Sequence, residues 1–215
     1  MKAIMISTRP QWVEKILNGI KKDEIRKGTT IGKAINRLIK EQGVAPMLIY
    51  CTKGQGLVFD SDGKGLVNSK LFPYAKNCPE HDRLINGKVV ARFNATAEKI
   101  EHSHSHFYFS EEESKKMLYE GLIERRGCIS ADNLHLYLKG KNGTAIHINN
   151  LEIFDKPKEI SEFRQWSDCE KCWCVDNQDC LMNKQCPKHT LTRAPQSWCY
   201  VEIWLWAIKF VQKIV

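Results

Sequence analysis

A short charged motif near the start of this 215-residue chain brings together residue types that could bind a polar ligand. It runs from Gly19 to Arg26 and reads Gly-Ile-Lys-Lys-Asp-Glu-Ile-Arg. If Lys22–Arg26 forms a strand, Glu24 and Arg26 point to the same face, because side chains alternate along a strand. Lys21 can lean over the same opening. Two cations and one carboxylate would suit a phosphate or the polar edge of a base, with Glu24 orienting the cations or accepting a proton. A surface ion-pair network without a ligand is the alternative interpretation.

A second group of candidate ligands lies near the other end of the chain, with the spacing C-x2-C-x-C-x5-C-x5-C-x2-H. Thiolates and an imidazole at such intervals can surround zinc tetrahedrally. Free or disulfide-bonded thiols are the alternative. The favoured ligand set is Cys169, Cys172, Cys180 and Cys186, with Cys174 and His189 as substitutes, and the second choice is Cys169, Cys172, Cys186 and His189. Four cysteines leave no open coordination position, so the predicted zinc is structural.

Other cysteines lie far from this cluster along the chain. Cys51, Cys128 and Cys199 lie in apolar or strand-like segments and are predicted to be core thiols. Among the aromatic residues, most are expected in the core. Trp198 is the one that the sequence suggests for stacking on an unpaired base.

The elements that must position these residues follow from periodicity and from helix caps. The predicted strands are Ile4–Ser7, Lys22–Arg26, Met47–Thr52, Lys88–Ala95, Thr144–Phe154 with a break near Asn149, and Ser197–Leu205. The predicted helices are Pro10–Asn18, Thr30–Gln42, Ser110–Glu120 and Ser130–Leu138, and Lys53–Gly87 is predicted to be mainly loop. Short strands mixed with short helices favour an α+β fold with a small mixed barrel over a doubly wound sheet.

Composition favours a polyanionic partner. The net charge is +8 and the sequence pI is near 9.0, which suits RNA, DNA or an acidic protein surface. No secretory signal is recognised, and the most apolar stretch, Ile203–Val215, is too short to span a bilayer. The sequence therefore predicts a cytoplasmic protein without membrane association. Ile203–Val215 is expected to form an amphipathic helix or a strand extension.

The charged motif fits Gly-x-Lys-x-x-Glu-x-Arg and resembles the signature of ASCH domains, which belong to the PUA-like superfamily. The helix that precedes it, Arg9–Gly19, and the segments Gly143–Ile148, Phe154–Pro157 and Pro195–Val201 resemble ASCH proteins of phages and prophages. The resemblance covers about residues 1–160 and 195–202, with gaps. It implies a PUA-like barrel at 1–160, a cysteine-rich zinc-binding insertion at 161–194, and a final barrel strand with a tail at 195–215.

The function implied by the resemblance is binding of RNA or nucleotides in a cleft beside the first helix, through Lys21, Glu24 and Arg26. Some bacterial relatives are amidohydrolases that deacetylate N4-acetylcytidine with the motif lysine, a threonine three residues later and a glutamate on a later strand. Here Glu24 occupies the threonine position, and Glu98 and Glu101 are candidates for the later glutamate.

Binding is therefore expected rather than catalysis. Pairing with Glu24 is expected to keep Lys21 protonated, which does not suit a base or nucleophile. A third alternative is a phage accessory protein that binds and inhibits a host defence nuclease, such as an anti-CRISPR protein.

Overall fold

The computed structural model describes residues 1–53, 57–61, 66–70, 84–103, 106–109, 116–166, 190–203 and 210–214. Its strands are β1 (Lys2–Thr8), β2 (Asp23–Lys27), β3 (Pro46–Cys51), β4 (Leu57–Ser61), β5 (Leu66–Lys70), β6 (Val89–Ser103), β7 (His106–Phe109), β8 (Gly143–Lys158), β9 (Arg164–Gln165), β10 (Trp198–Glu202) and β11 (Phe210–Ile214). Its helices are α1 (Pro10–Leu17), α2 (Thr30–Gln42), α3 (Lys116–Gly127) and α4 (Ala131–Leu138), with a 3-10 turn at Ile160–Glu162. None of these helices is long and apolar enough to cross a bilayer.

Nine of the strands form one mixed sheet. Seven follow the order β11-β8-β6-β3-β1-β10-β9, while β2 pairs with β8 and β7 pairs with β6. Only β1 and β3 pair in parallel among the described strands. The predicted α+β class and mixed sheet are confirmed. The described pairings leave β9 and β11 at opposite ends, so the sheet is open rather than the closed barrel that the sequence predicted.

In the described part of the chain the end strands β9 and β11 do not pair with each other, and β2 lies off this path. One edge of β2 pairs with β8, from Asp23 opposite His147 to Lys27 opposite Gly143. Toward β1, the connection runs through the side chain of Arg26 instead of a backbone ladder. Its Nη2 donates to the carbonyl oxygen of Ser7 at 2.8 Å and lies 3.2 Å from Oγ1 of Thr8. Both edges of β1 are already paired, with β3 and β10, so β2 is joined to β1 only through this guanidinium, and the space between the two strands becomes a cleft.

Apolar residues cover both faces of the central strand β1, which is buried at all seven positions. The larger cluster lies between the sheet and helices α1 and α2, and a second cluster covers the other face. Helix α2 presents an apolar stripe, because Ile31, Ala34, Ile35 and Leu38 recur at helical spacing and are all buried. Burying each large side chain stabilises the fold by about 1.5–3 kcal/mol. A third cluster packs α3 and α4 against β2, β6 and β8.

Several predicted boundaries were wrong for identifiable reasons. The glycine-rich stretch predicted to be mainly loop contains the hairpin β4–β5. The prediction missed this hairpin because its two short strands show no clear alternation of apolar and polar residues. Helix α3 continues to Gly127, beyond the predicted end at Glu120, and the proposed capping box at Ser110 falls outside the described residues. Strand β8 is continuous, and Asn150, at the predicted break, has φ of +51° where β8 carries one extra residue against β6. Within the C-terminal run, for which a helix or a strand was expected, Phe210–Ile214 forms the strand β11.

Candidate functional site

The cleft between β1 and β2 is a cavity of about 1050 Å³. This volume is near the upper end of typical ligand pockets. Its walls come from the end of β1, the first turn of α1, β2, the junction of α3 with α4, and the segment before β10. The lining residues are Ser7, Thr8, Arg9, Pro10, Gln11, Trp12, Lys21, Glu24, Ile25, Arg26, Thr52, Cys128, Ile129, Ser130, Asn133, Tyr137, Gln196 and Ser197.

The three motif residues meet on the floor of this cavity. One carboxylate oxygen of Glu24 lies 2.9 Å from Nη2 of Arg26, and the other lies 3.7 Å from Nζ of Lys21. The side chains of Lys21, Glu24 and Arg26 are only 4%, 7% and 13% exposed. The alternation of β2 places Glu24 and Arg26 on one face, as expected. These are buried ion pairs, so the alternative of a solvent-exposed network does not describe them.

Lys21 has the most constrained surroundings of the three. Its Nζ donates to the carbonyl oxygen of Gly127 and lies 4.9 Å from the centre of the Trp12 ring. Burial lowers the pKa of the Lys21 ammonium group, and the negative charge of Glu24 opposes this effect without cancelling it. Glu24 therefore favours the protonated form of Lys21, while burial makes its pKa lower than that of an exposed lysine.

The opposite face of β2 carries a separate cluster centred on Asp23, whose side chain is 1% exposed. Arg126, at the end of α3, binds Asp23 through Nε and Nη2, each at 2.7 Å. His147 on β8 places Nδ1 2.9 Å from Asp23 and Nε2 3.3 Å from Glu98 on β6. Burial alone would raise the pKa of Asp23, but the hydrogen bonds from His147 and Arg126 outweigh it and hold that pKa below its usual value.

Several cavity residues were missed by sequence reasoning. Trp12 lies in the first predicted helix and was not among the candidate binding residues, yet it lines the cavity and contacts Lys21. Ser130 and Asn133 belong to the start of α4, where the Ser130 hydroxyl accepts the backbone N–H of Asn133 at 3.4 Å. The cap of α4 was readable from the sequence, but its position beside the motif depends on contacts about a hundred residues apart along the chain. Tyr137 reaches the cavity from the same helix.

The three cysteines predicted to be core thiols lie in different environments. Cys51 is fully buried, as predicted. Cys128 is not a core thiol, because it is half-buried and lines the cavity. Its backbone has φ of +52°, a turn conformation that lets α3 pass directly into α4. Cys199 is half-buried at the edge of the second apolar cluster.

The glutamates suggested by the amidohydrolase resemblance do not line the cavity. Glu98 contacts His147 on the reverse side of β2, and Glu101 pairs with Lys99. Trp198 also lies elsewhere, stacked edge-on against Tyr200 with ring centres 5.5 Å apart. Trp12 and Tyr137, rather than Trp198, are the aromatic residues that line the cleft.

All the predicted zinc ligands, Cys169 to His189, lie outside the described residues. Within the described ranges, no group of three or more His, Cys, Asp or Glu side chains is arranged to hold a metal ion. The chain leaves and re-enters this region at neighbouring points: Arg164 bridges to Thr190, and the N–H of Leu191 donates to the carbonyl oxygen of Phe163 at 2.9 Å.

Comparison with known proteins identifies no family for the chain. No protein-family model matches it, and no curated protein matches it either. The resemblance to ASCH domains therefore remains an expectation that rests on the sequence segments named above.

Proposed function

We propose that this protein is an ASCH-like binding protein that holds a nucleotide, free or within RNA, in the cleft between β1 and β2. The observation that carries the proposal is the buried arrangement of Lys21, Glu24 and Arg26 on the floor of a large cavity. Cations that flank a carboxylate offer donors and acceptors to the polar edge of a base. Their burial strengthens each contact, because the local dielectric is low.

The rim of the cavity suits the rest of a nucleotide. Arg9 is exposed and lines the opening, where it can pair with a phosphate. Tyr137 lines the same cavity and is 41% exposed, so an aromatic residue and the cation of Arg9 both line this cavity. Aromatic faces and cations at one opening are the usual means of binding unpaired bases. The net charge of +8 supports the same class of ligand.

Binding of a labelled single-stranded RNA oligomer at several salt concentrations tests the proposal. The double variant Lys21→Ala with Arg26→Ala should weaken binding and reduce its salt dependence, because fewer cations release counterions. Lys40→Ala removes an exposed lysine of α2 that does not line the cavity, and it serves as the control. Unchanged affinity and salt slope in the double variant would show that the cleft does not bind the RNA.

A second candidate is an amidohydrolase that acts on a modified nucleoside such as N4-acetylcytidine. The observation that favours it is the lowered pKa of Lys21 beside Glu24, since an amine that loses its proton more readily can serve as a base. Incubation with N4-acetylcytidine and measurement of released cytidine distinguishes the two functions. Turnover of about 1 per second or more that disappears in Lys21→Ala would favour the enzyme.

The proposal also includes a structural zinc ion and a cytoplasmic location. We propose that Cys169, Cys172, Cys180 and Cys186 hold one structural zinc ion, because their spacing resembles that of zinc knuckles. Zinc would stabilise a polar segment that has little apolar surface to bury. Thiolate ligands and a nucleotide or RNA partner are consistent with a cytoplasmic protein.

A further inference from the structure

The cluster behind β2 is joined to the cleft by the short junction between α3 and α4. Arg126 binds Asp23 with its guanidinium, while its own backbone carbonyl accepts the N–H of Lys22 at 2.8 Å. The next carbonyl, that of Gly127, accepts the ammonium group of Lys21. Two neighbouring residues of the junction are thus bonded to two neighbouring residues at the start of β2. The side chain of Arg126 fixes the junction from the face of β2 that points away from the cavity.

The junction lies very close to β2. A Cβ atom added at Gly127 would be 2.5 Å from Cδ1 of Ile25, so any larger residue here requires the Ile25 side chain to shift. Ile25 is 7% exposed and belongs to the cluster under α3 and α4. Beyond the glycine, Cys128 forms part of the cavity wall. The junction therefore supplies both a wall of the cleft and the acceptor for Lys21.

We infer that Asp23 and Arg126 are positioning residues for Lys21: their ion pair holds the α3–α4 junction against β2, and the Gly127 carbonyl then fixes the Lys21 ammonium group in the dry floor of the cleft. This inference rests on the proposed function for its effect on the ligand. It concerns residues that do not touch the cavity, since neither Asp23 nor Arg126 lines it.

The bidentate geometry explains why the ion pair of Asp23 and Arg126 can hold the α3–α4 junction in one position against β2. Two parallel N–H···O bonds fix both the distance and the angle of a guanidinium, which a single point charge cannot do. Asp23 is almost fully buried, so the pair is weakly screened by solvent on that side. Without Arg126, the charge of Asp23 would retain His147 as a partner, but the junction would lose the side-chain fork that ties it to β2. Water could then reach Lys21.

The decisive comparison uses two adjacent arginines of α3. Arg126→Gln removes the fork to Asp23, whereas Arg125→Gln removes an arginine whose Nε donates to the Gly121 carbonyl within its own helix. The first readout is the titration of the Lys21 side chain, followed by NMR in the full chain. In Arg126→Gln the pKa of Lys21 should rise toward the ordinary lysine value, because burial is the largest cause of its depression. In Arg125→Gln it should stay where it is in the unaltered protein.

The second readout is affinity for the single-stranded RNA oligomer. Arg126→Gln should weaken binding by about tenfold, a typical coupling between adjacent sites, and Arg125→Gln should not.

An unchanged Lys21 titration in folded Arg126→Gln would overturn the inference, whatever happens to binding. If the unaltered protein binds no RNA, the proposed function fails, but the Lys21 titration still decides the positioning role. If Arg126→Gln does not fold, Arg126→Lys replaces it in the test, because it keeps a positive charge beside Asp23. The inference then requires the pKa of Lys21 to rise in Arg126→Lys, by less than in Arg126→Gln.

Discussion

Gly127 shows how the absence of a side chain shapes the cleft. A methyl group at this position would require the buried Ile25 side chain to move. We predict that Gly127→Ala destabilises the protein by about 1–3 kcal/mol, as overpacking usually does. Gly121→Ala is the matched control in the same helix, because a Cβ there meets nothing within 4 Å. That change should be neutral or stabilise by about 0.5–1 kcal/mol, since alanine favours a helix interior. Urea denaturation measures both, and equal effects would contradict the packing argument.

The sequence identified the cleft residues that lie close together along the chain. Glu24 and Arg26 share a face because they are two apart on a strand, and this rule needs no knowledge of the rest of the fold. Gly127 and Cys128 could not be found in this way. The contact between Lys21 and Gly127 joins residues separated by 106 positions, and nothing in the local pattern around α3 points to it. The direction of the Lys21 pKa also depends on burial, which local spacing does not reveal.

At the scale of elements, β2 separates two polar clusters. The cluster around Asp23 and His147, on the face of β2 opposite the cleft, should make the stability of the fold depend on pH. The hydrogen bond to Asp23 raises the pKa of His147, and the charges of Asp23 and Glu98 add to this effect, while burial and the charge of Arg126 oppose it. A raised pKa in the folded state means that protonated His147 stabilises the fold fully below the ordinary value of 6.5. This contribution is lost as the pH rises through the raised value.

We therefore predict that the free energy of unfolding falls as the pH rises from the ordinary histidine value of 6.5 through the raised pKa of His147, and that His147→Gln flattens this fall. His135→Gln is the control, because His135 packs on Phe107 with ring centres 4.7 Å apart, away from Asp23. Urea unfolding at several pH values measures the slope. A slope that is the same in His147→Gln and in the unaltered protein would show that another group causes it.

Elements with a clear apolar period were predictable, and those without one were not. Helix α2 begins at Thr30 and ends at Gln42 as expected, because its stripe and Gly43, with φ of +79°, define both ends. Helix α3 has no such stripe. Its place is set by Ile123, which is 1% exposed and packs in the cluster shared with Ile25, a tertiary contact that the sequence does not display.

At the scale of the whole molecule, the closed barrel was expected from the ASCH resemblance, but closure depends on whether two strand edges meet. In the described pairings both edges of β1 are occupied, by β3 and β10, and the sheet ends at β9 and β11, an arrangement of distant strands that local sequence patterns do not reveal. The zinc insertion remains a prediction, because its residues lie outside the described part of the chain.

We predict that the purified protein contains about one zinc per chain, since the cluster supplies one full set of ligands. Elemental analysis of protein never exposed to chelator measures it. Cys172→Ser should lose the metal and lower the melting temperature, because metal binding and folding of that segment are linked. Cys128→Ser changes a thiol at the cavity and should keep the metal. Zinc-free protein with an unchanged melting temperature would contradict the prediction.

The pairing of β1 with β10 has a consequence for the order in which the chain folds. Lys2 lies opposite Glu202, so the central strand receives its second neighbour from almost the other end of the sequence. During synthesis, β1 can pair with β3 early but must wait for β10, on the order of ten seconds at usual elongation rates. An apolar strand with one open edge is exposed to aggregation throughout that interval. Substitutions in Trp198–Glu202 should therefore appear first as a loss of soluble yield on rapid expression, and slower synthesis or added chaperones should restore it.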